Sequence, residues 1–238
     1  MSERINTAMV LAAGLGTRMQ PLTLDCPKPL VILQGKTLLD RVLDRLVGAG
    51  ITDAVVNVHY HADSIEAALA KRTKPSLHIS DERDVLLDTG GGVTRALPLL
   101  GDKPFLIHNS DSVWIEGVEP NLARMMNAWD PQRMDCLMLL AAMQSSLGVA
   151  GHGDFIMLPN GLLKRRAERD VAPFVFTGVS IAHPRMFENA PQGAFSLNML
   201  WDCTIAQGRL FGIRLDGLWM HVGTPDALAE AERAMADT

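Results

Sequence analysis

The chain has 238 residues, enough for one large α/β domain or two small ones. Hydrophobic residues make up 47% and charged residues 21%, so a sizeable core can form without disulfides or a structural metal. The formal net charge of −5, with no basic block, disfavours nucleic-acid binding, which needs a concentrated positive footprint.

The first apolar stretch, 8–13, is too short for a secretory core and runs straight into glycines, and nothing later reaches the length of a membrane span. Cys26, Cys136 and Cys203 are odd in number and far apart, which points to free thiols in a reducing compartment. The expected address is cytoplasmic.

Residues 9–13 (MVLAA) read as a strand buried on both faces, ending in Gly14-Leu15-Gly16. From 37 to 49, Leu38, Leu39, Val42, Leu43, Leu46 and Val47 recur at intervals of three and four, which predicts an amphipathic helix stopped by Gly50. Residues 54–58 predict a strand, and 63–71 a helix with Asp63 as N-cap. Further strands are expected at 77–79 and 105–107. Strand and helix alternating at this spacing predict an α/β fold, a mostly parallel Rossmann-like sheet flanked by helices. Such sheets bind ligands beyond the carboxyl ends of their strands, where 14–18, 57–61 and 108–111 fall.

After about residue 135 the pattern loosens. Residues 136–142 and 174–181 suit strands, and 155–158 and 162–163 flank Pro159-Asn160-Gly161, a hairpin turn. Residues 195–206 and 225–235 suit helices, the latter with Pro225 and Asp226 in its first turn. With no linker or repeat, 1–238 reads as a single domain. Its core is about 1–134, and a mixed α/β portion, about 135–238, covers the ligand edge.

The densest chemical signal is N-terminal. A glycine-rich turn after a buried strand brings backbone N–H groups close to phosphate oxygens. Arg18 adds a permanently charged fork, and Lys28, between Pro27 and Pro29, a second positive point. A dinucleotide-binding turn would need glycine where Met19 stands. Gly35-Lys36-Thr37 imitates a P-loop, but Leu30 occupies the place of its first glycine. His59-Tyr60-His61 suits a polar loop at a pocket rim better than a metal pair. Asp111 follows a predicted strand, where a parallel sheet presents ligands. Mg²⁺ typically takes one or two carboxylates plus phosphate oxygens and water.

The run LAAGLGTRMQPLTLDCPKPL (11–30) resembles the signature of the sugar-1-phosphate nucleotidyltransferases. The likeness continues in LLDTGGG (86–92), SDSVW (110–114), GHGDF (151–155), FTGVSI (176–181) and WMHVGTP (219–225). Within that family the chain is most similar to the branch that uses UTP and N-acetylmuramate 1-phosphate, with the mannose-1-phosphate guanylyltransferases next. The resemblance implies transfer of a nucleotide from a nucleoside triphosphate to a sugar 1-phosphate, in nucleotide-sugar synthesis linked to cell-wall (peptidoglycan) recycling. It implies that Leu11, Ala12, Ala13, Gly14, Gly16 and Thr17 cradle the nucleotide. Arg18 meets the β- and γ-phosphates, and Lys28 neutralises the α-phosphate. Thr89 and Gly90 lie against the base or ribose, because the triple glycine permits close approach of a flat ligand. Gly153, Asp154, Thr177 and Gly178 line the sugar pocket, and Asp111 holds Mg²⁺.

His221 departs from the pattern, since the family usually carries an aspartate there as second metal ligand. Neutral imidazole substitutes poorly for a carboxylate on Mg²⁺. His221 can act through a metal-bound water, Asp111 and the phosphates can suffice, Asp226 can lean in, or the site can favour Mn²⁺. Two rivals stand beside this reading. One is transfer to a phosphocholine-type or polyol phosphate, poorly served because no aromatic cage is evident. The other is a nucleotide sensor without catalysis. The oligomeric state is not legible.

Overall fold

Along β1 (Thr7–Leu11) successive side chains go to opposite faces, as a strand covered on both sides requires. Ala8 and Val10 enter one core cluster and Met9 the other. The structure, a computed structural model, describes residues 4–149 and 151–236. A short hairpin, β2 (Ile32–Leu33) and β3 (Lys36–Thr37), leads into α1 (Leu38–Gly48). Thr37 caps α1 by accepting the Asp40 N–H at 3.0 Å, and Gly50, at φ 87°, ends its last turn. Next come β4 (Asp53–Val58), α2 (Ala62–Leu69), β5 (Ser76–Asp81) and α3 (Asp88–Leu100). The cap of α2 is His61, in a left-handed conformation; Asp63 instead lies in the first turn and pairs with Arg83 at 2.6 Å.

The chain continues through β6 (Phe105–Asn109), β7 (Ser112–Glu116), α4 (Asn121–Ala128) and β8 (Cys136–Ala142). The hairpin expected around Pro159-Asn160-Gly161 forms from β9 (Phe155–Met157) and β10 (Leu163–Arg165). Then follow β11 (Phe174–Ala182), α5 (Leu197–Ala206), β12 (Leu210–Arg214), β13 (Gly217–His221) and α6 (Pro225–Ala236).

The main sheet runs β10-β9-β11-β6-β1-β4-β5, and β8, with β12 beyond it, pairs along the other side of β11. Its centre, β6-β1-β4-β5, is parallel. β11 joins antiparallel to both β6 and β8, so one sheet continues through the two portions of the chain. Apolar clusters fill both faces: α1, α2 and α4 contribute to one, α3 and α5 to the other. A third, smaller cluster joins Met19, Leu33, Val113, Met220 and Ala231. It sits beside a two-stranded ribbon in which β13 runs antiparallel to β7, opposing His221 to Ser112. That register brings the C-terminal His221 next to Asp111, in the turn between β6 and β7.

Candidate active site

A cavity of about 490 Å³ opens at the carboxyl edge of the parallel strands. Its floor is the turn after β1. Gly14 has open space where a Cβ would stand, so ligand can lie against bare backbone there. Gly16 adopts φ 66°, and the hydroxyl of Thr23 donates to its carbonyl at 2.8 Å, fixing the turn. Leu11, Ala12, Ala13, Gly14, Gly16, Thr17 and Thr89 all line this cavity, as do Arg18, Lys28 and Asp111.

Gly90 does not line it. The position of a Cβ on Gly90 lies 2.3 Å from the Phe195 ring, and on Gly91 2.3 Å from the Gly193 carbonyl oxygen. Gly90 and Gly91 therefore admit a neighbouring protein segment rather than a flat ligand, while Gly92 makes room for the side chains of Glu82 and Asn57. Gly153, Asp154, Thr177 and Gly178 are also not among the cavity-lining residues. Asp154 accepts the Phe176 N–H at 2.9 Å, and the Thr177 hydroxyl donates to the Leu139 carbonyl at 2.8 Å. Gly178, at φ 83°, sits where the β11 register shifts, against the side chain of Asn109, which does reach the cavity. Of the four, only Gly178 thus meets a cavity-lining residue.

Two wall residues were not among the residues given a role from the sequence, although Asn57 opens the strand-end segment 57–61. Asn57, at the end of β4, accepts the Ala12 N–H at 2.7 Å and donates to Glu82 at 2.7 Å. The other Glu82 oxygen accepts the Leu87 N–H at 3.2 Å. This buried bridge ties the glycine-rich turn to the start of α3. A polar pair at consecutive strand ends is its only trace in the sequence. One ring nitrogen of each of His59 and His61 is engaged, by the carbonyls of Glu82 and Leu24, and neither residue is among those lining the cavity.

At the opposite end Lys28 donates to Asp111 at 2.6 Å, and His221 Nδ1 lies 3.9 Å from the same oxygen. Burial would raise the Asp111 carboxyl, but the Lys28 ammonium and His221 outweigh it and hold it below its ordinary range. For His221, burial lowers the imidazole, Asp111 opposes this, and Lys28 and Arg18 reinforce it. The ring is thus neutral near pH 7, with a lone pair available on one nitrogen.

The glycine-rich turn, Arg18, Lys28 and a depressed carboxylate thus line one cavity, a set whose charges suit a polyphosphate. The nucleotidyl transferase family matches residues 7–238. The chain belongs to that family. It is 48% identical to an N-acetylmuramate alpha-1-phosphate uridylyltransferase of Caulobacter vibrioides over the full length of both proteins. It is 34% identical to the enzyme of the same name from Neisseria meningitidis serogroup B, over 94% of this chain and 96% of that protein. The fold superposes on a UDP-glucose pyrophosphorylase crystallised with UDP-glucose, with a TM-score of 0.81 and 17% identity, covering 98% of this chain and 99% of the other.

For a nucleotidyl transferase the donor set around Asp111 is sparse. Among the described residues no three His, Cys, Asp or Glu side chains converge as a metal site. One carboxylate with a neutral imidazole nearby suits a divalent cation whose remaining ligands are phosphate oxygens and water, the usual state of Mg²⁺. Asp226 makes no described contact with Asp111. Among the described residues no helix is long and apolar enough to cross a membrane, and Cys26, Cys136 and Cys203 are free thiols.

Proposed function

We propose that the protein is a cytoplasmic uridylyltransferase that joins UTP to N-acetylmuramate 1-phosphate and releases pyrophosphate. The observation that carries the reaction class is the convergence of the glycine-rich turn, Arg18, Lys28 and Asp111 on one cavity. The full-length identity to the Caulobacter protein supports the choice of substrates. A phosphate oxygen of the sugar 1-phosphate attacks the α-phosphorus in line; the new P–O bond forms as the bond to the β-phosphate oxygen breaks. The attacking oxygen is already anionic, so no general base is needed and the protein contributes position and charge.

Backbone N–H groups along residues 13–16 hold the phosphates, the Ala12 N–H being taken by Asn57; Arg18 faces the β- and γ-phosphates, and Lys28 leaves Asp111 to meet the α-phosphate. Asp111 would hold Mg²⁺, and the neutral His221 beside it would serve a metal-bound water. Mn²⁺, more tolerant of nitrogen, is an alternative ion. Held there, such an ion would supply positive charge against the phosphate oxygens. The sugar lies toward Asn109, on the backbone shaped by Gly153, Asp154, Thr177 and Gly178.

Pyrophosphate release with Mg²⁺ across UTP, GTP, CTP and dTTP against N-acetylmuramate, N-acetylglucosamine, glucose and mannose 1-phosphates tests this. Turnover confined to UTP and N-acetylmuramate 1-phosphate is expected. Preference for GTP and mannose 1-phosphate would replace the substrates and keep the chemistry. Nucleotide binding without turnover, with Mg²⁺ or Mn²⁺, would leave a sensor.

A further inference from the structure

We propose that Asp88 is a specificity-determining residue that selects a base carrying an N–H at ring position 3, uracil or thymine, over cytosine. The inference rests on the nucleotide-binding reading above and goes beyond it to a residue outside the glycine-rich turn.

The cavity has polarity along its length. At the β1 and β6 end lie Arg18, Lys28 and Asp111; at the β5 end lie Glu82, Leu86, Asp88 and Thr89, and no lysine or arginine lines that end. A triphosphate belongs at the cationic end, which leaves the base at the other, beside the apolar side of Leu86.

Asp88 holds φ 58°, in the left-handed region that L residues other than asparagine and aspartate rarely adopt. Glycine would occupy that conformation freely, so the backbone gains nothing from the aspartate. The side chain instead puts a carboxylate into the cavity wall. Its Oδ1 accepts the Thr89 N–H, which fixes the orientation of the group. Thr89 is anchored in turn, since its hydroxyl accepts the Leu197 N–H at 3.0 Å. Among the described residues Oδ2 has no hydrogen-bond or ion-pair partner.

A single oriented, acceptor-only oxygen discriminates between pyrimidines. Uracil and thymine present N3–H and satisfy it; cytosine presents an N3 lone pair and is repelled. Exchange to asparagine keeps an oxygen for Thr89 and turns a donor NH₂ toward the base, which suits cytosine.

The test compares wild type, Asp88→Asn and Asp88→Gly. Binding of UTP and CTP would be measured calorimetrically with Mg²⁺ and no acceptor, and kcat/KM for both with N-acetylmuramate 1-phosphate. Wild type should favour UTP by about tenfold or more, the scale of one unmet hydrogen bond. Asp88→Asn should shift the UTP:CTP ratio toward CTP by about ten- to a hundredfold, reflecting one bond lost and one gained. Asp88→Gly should bring the ratio close to one with Tm unchanged or raised, because glycine relieves the left-handed backbone.

A UTP:CTP binding ratio that stays at the wild-type value in both variants would overturn the proposal, as would a wild type that binds the two equally. Absence of UTP turnover in a wild type that still prefers UTP in binding would remove the catalytic reading and leave Asp88 in its role.

Discussion

Lys28 and Asp111 form a tight ion pair in the unliganded site, and their charges must be reassigned when substrate arrives. A triphosphate brings anionic oxygens that compete for the Lys28 ammonium, and a divalent cation competes for the Asp111 carboxylate. Each partner thus keeps the other from being an uncompensated, largely buried charge until its ligand binds. Asp111→Asn keeps the shape and a hydrogen-bond acceptor for Lys28 but removes the negative charge. We expect kcat to fall by about a thousandfold, in the range of losing a main electrostatic group, with Tm close to wild type. Activity within about tenfold of wild type, by pyrophosphate release, would take Asp111 out of the reaction. The sequence pointed to Lys28 and Asp111 because proline-flanked lysine and a strand-end aspartate are local features. The 2.6 Å contact between them spans 83 positions and is set by folding. His221 was visible as an oddity, but the β13–β7 register that puts it beside Asp111 is a long-range pairing that period-2 patterning does not specify.

At the scale of elements, α3 shows where local reading fails. Three consecutive glycines cost helix stability, and the sequence suggests for Thr89 and Gly90 only the close approach of a flat ligand, not a helix. Residues 88–92 form the first turn of a helix because the segment before α5 packs against them. The Gly90 and Gly91 N–H groups both donate to the Phe195 carbonyl, at 2.8 and 3.1 Å. The clamp holds Thr89, and with it Asp88, at the cavity wall. Gly90→Ala separates the two effects by sign. In an open helix it would stabilise by about 1 kcal/mol through propensity. Here the added Cβ meets the Phe195 ring at 2.3 Å and the Phe195 carbonyl oxygen at 2.8 Å, and overpacking of this kind costs about 1–3 kcal/mol. Net destabilisation in urea titration is therefore expected, and a more stable variant would show that the segment gives way freely. The hairpin of β9 and β10 was legible for the opposite reason: Pro159-Asn160-Gly161 states its turn locally. The four residues first assigned to the sugar share no such rule. For Thr177 and Gly178 the orientation follows from the register shift in β11, between Phe176 and Ser180, which alternation alone does not reveal.

For the molecule as a whole, the layer beneath the site sets how stability answers to pH. His108, on β6, is fully buried and stacks on Trp114 with ring centroids 5.5 Å apart, while the Arg45 guanidinium covers Trp114 at 3.5 Å. Burial pushes the His108 imidazole down to about 3, with the Arg45 charge adding to it. The Asn109 carbonyl and Asp111 act against that shift. An unfolded histidine takes a proton near pH ~6.5. Below that pH the unfolded chain therefore holds a proton that the native protein refuses. Stability from this group is complete above the unfolded value and declines as pH falls toward 3, by at most about 1.4 kcal/mol per pH unit. Asp111, lowered below the ordinary carboxylate range, contributes only in more acidic solution, so the interval from about pH 6 to 4.5 isolates the histidines. His221, lowered in the same direction, acts equally in wild type and in a His108 variant and cancels in the difference. His108→Phe preserves a flat ring for Trp114 and has no proton to accept. Its absolute stability falls by about 1 kcal/mol for the lost bond to the Asn109 carbonyl. The diagnostic is the slope: unfolding free energy from urea titrations should decline less steeply with acid in the variant, by about 1 kcal/mol per pH unit. Parallel slopes would mean that His108 is protonated in the native protein, and that the layer under Asp111 admits water.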